Sequence, residues 1–105
     1  MAQTPEGKVK DKVRKLLKEL EVYYFMPPTG GFGKSGVPDF ICCMDGLFLA
    51  IECKAGANMP TPLQNREIDL IRAAGGTAMV VRETNIEDVR IVIRELRRGL
   101  QCRIS

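Results

Sequence analysis

Val9, Val13, Leu16, Leu17 and Leu20 recur at helical spacing, which predicts one amphipathic helix with a single apolar face. Thr4-Pro5 opens it, with threonine as N-cap and proline at the first helical position, and it runs to about residue 20. The period then changes. Val22 to Phe25 is β-branched and aromatic and reads as a short strand. Pro27 to Gly36 holds two prolines and four glycines and reads as an irregular loop. Phe40 to Met44 and Leu47 to Lys54 are apolar runs joined by Asp45-Gly46, the strongest short hairpin signal. After a loop at 55–60, Thr61-Pro62 repeats the cap-and-proline device and starts a helix that ends near Gly75-Gly76. Thr77 to Val81 reads as a buried strand. From Asn85 or Ile86 to about Arg98, a last helix turns Val89, Val92, Ile93 and Leu96 inward. It leaves Arg90, Arg94, Arg97 and Arg98 largely outward. The order α-β-β-β-α-β-α predicts one α/β domain over residues 1–105, a mixed sheet with helices packed against it and no repeats or linkers.

Composition narrows the chemistry. A chain that is 45% hydrophobic and 28% charged can bury a core, and 105 residues leave room for one small domain. Its longest apolar runs, Leu47 to Ile51 among them, fall far short of the ~20 residues that cross a bilayer. The charged N-terminal stretch argues against a signal peptide, so a cytoplasmic protein is expected. Histidine is absent, which removes Ser-His-Asp and Cys-His catalysis, His-ligated zinc and any imidazole proton shuttle. Cys42, Cys43, Cys53 and Cys102 show no C-x-x-C spacing and read as small buried hydrophobes in a reducing compartment. Net charge is +3, with basic ends around an acidic middle. That distribution suits a protein that holds a cation centrally and grips a polyanion at its flanks.

Gly33-Lys34-Ser35 ends like a phosphate-binding loop. The first glycine of that motif would fall on Pro28, and Gly36-Val37-Pro38 forbids the helix that must follow the lysine. No nucleotide cofactor is expected; Lys34 reads instead as a loop lysine able to approach a nucleic-acid phosphate.

The informative residues are Pro38-Asp39 and Glu52-Cys53-Lys54. A two-residue turn at Asp45-Gly46 pairs Met44 with Leu47, and continuing that register sets Asp39 opposite Glu52 with Lys54 on the same face. Opposed carboxylates repel unless something neutralises them. Two readings fit: an Asp-Lys-Glu cluster that salt-bridges itself, or an oxygen-lined site for Mg²⁺ or Mn²⁺.

Gly36-Val37-Pro38-Asp39, twelve residues, then Glu52-Cys53-Lys54 resembles the PD-(D/E)XK nuclease signature. More narrowly, the chain is similar to the virus-type replication-repair nuclease (VRR-NUC) domain. The likeness runs from Pro5-Glu6-Gly7 through Gly46 to Lys54 and Pro60-Thr61-Pro62-Leu63-Gln64 to Gly75-Gly76. It implies a restriction-endonuclease-like core and a Mg²⁺- or Mn²⁺-dependent DNA endonuclease. Asp39, Glu52 and the Cys53 main-chain carbonyl would ligate the metal, with Glu6 joining directly or through water. Lys54 would position or deprotonate the attacking water and stabilise charge on the phosphate. Gln64 is carried into the site by the same likeness, although Thr61-x-x-Gln64 is also a capping box. Glu6 in the first helical turn also suits the helix dipole. Glu19, late in the first helix, reads as a solvent-facing charge.

Lys8, Lys10, Lys12, Lys15, Lys34 and Arg66 are the expected phosphate contacts, with solvated helix faces the plainer explanation for part of that set. No base-reading helix and no aromatic stacking platform stands out in the sequence. The family further implies a homodimer acting on branched DNA such as a Holliday junction, in DNA repair, from a viral or prophage source and so in a host cytoplasm. A non-catalytic nucleic-acid-binding module on the same fold is the alternative.

Overall fold

The computed structural model describes residues 3–28 and 34–104, with side chains to Gly99. The middle of the glycine loop, residues 29–33, and the Cys102 side chain lie outside the described residues. Seven elements follow in the expected order: α1 (Pro5–Glu19), β1 (Tyr23–Phe25), β2 (Phe40–Met44), β3 (Leu47–Cys53), α2 (Pro62–Ala73), β4 (Thr77–Val81) and α3 (Asp88–Ile104).

Both cap-and-proline signals act as read. Thr4 Oγ1 accepts from the Gly7 N–H at 3.0 Å, and at α2 the Thr61–Gln64 capping box closes in both directions. The hairpin register is also as read. All five β2–β3 pairs, from Met44–Leu47 to Phe40–Ile51, follow from the tight turn. That turn places Asp45 at φ 54° and Gly46 at φ 79°, the two left-handed residues such a hairpin requires.

The sheet is mixed, in the order β1-β2-β3-β4, with β4 parallel to β3 and the other pairs antiparallel. One face carries the main core. Val9, Val13, Leu16 and Leu17 of α1 and Val89 and Ile93 of α3 pack there on Phe40, Cys42, Leu49, Ile51 and Val81. On the other face Ile68 and Ile71 of α2 cover Ala50, Ala78 and Val80, with Ile41 at the margin.

Several boundaries move. Leu47–Cys53 is one residue shorter than the run read from sequence, though the Lys54 N–H still donates to Val81 O at 2.9 Å. α3 begins two or three residues late because Asn85–Glu87 form turns, closed by Asp88 N–H to Asn85 O and Val89 N–H to Ile86 O. It then runs past Arg98 to Ile104. Gly99 in a helix interior costs only about 1 kcal/mol, and no proline or cap follows to end it. Cys42 and Cys53 are buried as expected, but Cys43 is exposed. It sits between Tyr23 and Phe48 on the half of the sheet face that α2 leaves open.

Candidate active site

The site forms where the β2–β3 hairpin opens. The register points Asp39 at Glu52, but regular pairing stops one step earlier, at Phe40–Ile51. Pro38 cannot donate to a further ladder bond. Asp39 turns instead to cap the neighbouring strand with its side chain: Oδ2 accepts from the Cys53 N–H at 2.8 Å. Gly36 prepares this approach. At φ 84° it lies so close to α2 that a Cβ there would fall 2.5 Å from the Leu63 carbonyl oxygen, so the chain leading to Asp39 is seated against the first turn of that helix.

Glu52 is the most deeply buried charge-bearing side chain described, at 2% exposure. Its Oε2 lies 3.4 Å from Lys54 Nζ. Among the described residues, its Oε1 has no hydrogen-bond partner. Burial first, then the nearby Asp39 carboxylate, pushes its acid up to about 7, against the opposing pull of Lys54. Lys54, at 8% exposure, is held on both sides: the Val81 carbonyl fixes its backbone, and Glu52 and Glu6, at 3.4 and 3.9 Å, hold its ammonium.

Glu6 reaches the site from the first turn of α1, half-exposed. Lys10, one turn on, sits 3.3 Å from Asp39 Oδ1 and 3.6 Å from Glu6 Oε2. Three carboxylates and two ammonium groups are therefore joined in one chain of ion pairs. Among the described residues, no three Asp, Glu, Cys or His side chains converge as a ready-made metal-binding group. The donor chemistry of Asp39 and Glu52 nevertheless suits a hard divalent cation. A buried carboxylate oxygen without a partner is costly, and two neighbouring acids make a hard, oxygen-rich donor pair. Cys53 enters the site through its backbone alone. Its side chain lies in the main core, where burial drives the thiol well above its ordinary value.

The other sequence candidates divide. Gln64 spends its Oε1 on the Thr61 N–H at 2.9 Å, inside the capping box. Lys15 pairs with Asp11 at 3.1 Å, and Lys34 with Glu67 at 3.2 Å. Lys8, Lys12 and Arg66 are exposed, and among the described residues none has a carboxylate within ion-pair distance. Glu19 is exposed and meets Arg90 at 2.6 Å. The sequence reading missed Glu67, a buried acid on α2 that tethers the loop at Lys34. It also missed Arg82, which donates to the carbonyls of Gly56 and Asn58, and Glu83, which accepts from the Gly56 N–H at 2.7 Å. These two residues clamp the loop after Lys54. A cleft of about 550 Å³ opens between that loop and the start of α1, with Glu6 on its wall. No local sequence signal marks Arg82, Glu83 or Glu67, because each partner lies far away along the chain or across the fold.

No protein-family model and no curated protein matches the chain. Solved structures do. One described as a VRR_NUC domain superposes with a TM-score of 0.71 at 26% identity, covering 88% of this chain and 97% of that one. This chain shares the VRR-NUC fold. A second solved structure, a VRR_NUC domain protein, matches with a TM-score of 0.67 at 23% identity, over 90% of this chain and 89% of the other, and shares the fold. The likeness is to nuclease-family domains, and in this chain Asp39, Glu52 and Lys54 stand together at the mouth of the central hairpin. Among the described residues, no helix is long and apolar enough to cross a membrane.

Proposed function

We propose that this chain is a VRR-NUC nuclease domain, a Mg²⁺- or Mn²⁺-dependent DNA endonuclease that hydrolyses phosphodiester bonds, with a preference for branched DNA. The single observation that carries the reading is the orphaned, buried Glu52 Oε1 beside Asp39 and Lys54. An acceptor that buried is retained at a cost, and a cation is the partner that would offset it. Asp39 Oδ1 and Glu52 Oε1 would hold the ion, with the Cys53 carbonyl and, through water, Glu6 completing the shell. When bound, the ion supplies Lewis-acid polarisation of the phosphate and a more acidic water nucleophile.

The chain's own residues do the rest. Lys54, fixed by Val81 and flanked by Glu52 and Glu6, places a positive charge where the phosphate becomes more negative during attack. Asp39 is oriented by the Cys53 N–H, which sets Oδ2 and leaves Oδ1 facing the Lys10 ammonium. Lys8 and Lys12, exposed on α1, and Arg66 on α2 are placed to neutralise backbone phosphates without reading bases.

A homodimer is part of this proposal. Among the described residues β1 is an outer strand with one unpaired edge, and Tyr23, Phe25 and Met26 are exposed on or beside it. An apolar, unpaired edge on so small a domain suits a second copy of the chain. Two sites related by a twofold axis would suit the symmetric strands of a four-way junction.

The test is cleavage of matched four-way-junction and linear duplex substrates in Mg²⁺, Mn²⁺ or EDTA, with light scattering on the same preparation. Cleavage that needs the divalent ion, favours the junction and comes from a dimer is the expected result. Cleavage undiminished by EDTA contradicts the metal site. A monomer that cuts both substrates alike contradicts the branched-DNA assignment.

A further inference from the structure

Lys10 stands out because its contacts differ from those of a phosphate-binding surface lysine. A Glu6–Lys10 pair one helical turn apart is common on exposed helices and contributes little. Asp39 changes that picture. It comes from the entrance to β2, is largely buried, and has Oδ2 already committed to the Cys53 N–H. The oxygen that remains, Oδ1, is the one Lys10 Nζ approaches at 3.3 Å. A divalent ion at the proposed centre needs that same oxygen.

We infer that Lys10 is a built-in, exchangeable counter-cation: its ammonium neutralises Asp39 and Glu6 before metal arrives, and a divalent ion enters by displacing it from Asp39 Oδ1. The inference rests on the metal-centre reading above and assigns Lys10 a different task from DNA binding, that of setting how tightly the ion is held. The carboxylates in this chain of ion pairs outnumber the ammonium groups by one, so removing Lys10 leaves an excess of two negative charges against Lys54 alone. A divalent ion balances that excess. Lys10 is thus a positioning residue, acting on the ion through Asp39.

The experiment is a Mn²⁺ titration of the DNA-free protein, followed by water-proton relaxation, for wild type, Lys10→Met, Lys10→Gln and Lys10→Arg. Both neutral variants are expected to bind Mn²⁺ at least about fivefold more tightly, while the charge-conserving arginine stays within about twofold of wild type. Without metal, Lys10→Met should melt below wild type, and saturating Mn²⁺ should raise its melting temperature by more than it raises that of wild type. A purely structural lysine would weaken metal binding on removal, and a phosphate-contacting one would leave it unchanged; either result overturns the inference. If wild type binds Mn²⁺ and the neutral variants bind no tighter, the counter-cation role fails and the metal centre stands. If no form binds Mn²⁺, both fail together.

Discussion

Replacing Lys54 with methionine is expected to lower the rate of phosphodiester cleavage by about 10²- to 10⁴-fold while leaving DNA binding nearly intact. Methionine keeps the length and helps fill the space of a side chain that is only 8% exposed, so what is lost is chiefly the charge. The loss should fall on kcat, because a buried cation beside Glu52 does little for a substrate held mainly by exposed lysines. Lys54→Arg should also be poor. The guanidinium is a planar fork, and the lysine ammonium is set as a compact point between two carboxylates. Single-turnover cleavage on protein shown to be folded by circular dichroism decides the matter. Retention of more than about half the wild-type rate would remove Lys54 from the chemistry.

The second large effect has opposite signs for stability and activity. Glu52→Gln should abolish metal-dependent cleavage and yet stabilise the ion-free protein at pH 8. The carboxyl of Glu52 titrates near 4.5 when unfolded and is pushed to about 7 by burial and Asp39. Between those values the folded chain holds a proton that the unfolded chain releases. Wild-type stability therefore falls as pH rises from 4.5 toward 7, and the full cost, roughly 3 kcal/mol, is present above 7. Glutamine carries no such cost, but Lys54 loses a partner, so the net gain expected is about 1–3 kcal/mol. The gain should shrink to near zero by about pH 4.5. Saturating Mg²⁺ should reverse the ranking, since only wild type then gains binding energy. Urea denaturation at pH 4.5 and 8, with and without Mg²⁺, measures all four conditions. A variant less stable than wild type at pH 8 without ions would show that Glu52 is already satisfied.

This trade explains why the site was partly legible in the sequence. Asp45-Gly46 fixes the hairpin register by local turn chemistry, and that register brings Asp39, Glu52 and Lys54 together without any tertiary information. The two threonine-proline starts are equally local, and both helices begin where they specify. Local rules end at the site's outer wall. Lys10 reads as one of several lysines on α1; only the packing of that helix on the sheet brings it to Asp39. Lys34 meets Glu67, and Arg82 meets Gly56 and Asn58, through contacts made across the fold. The exposure of Cys43 has the same origin. An alternating strand pattern specifies two faces, but which half of a face a helix covers depends on where α2 settles. Tyr23, Phe25 and Phe48, unremarkable along the sequence, become neighbours in register on that uncovered half.

The centre of the account is that Asp39 and Glu52 share a divalent ion. Crystals grown with Mn²⁺ and measured near the manganese absorption edge test it most directly. The account requires one anomalous peak within about 2.2 Å of both Asp39 Oδ1 and Glu52 Oε1, with the Lys10 ammonium moved away from Asp39. A protein saturated with Mn²⁺ that shows no peak between those oxygens, and Lys10 still seated on Asp39, would contradict it.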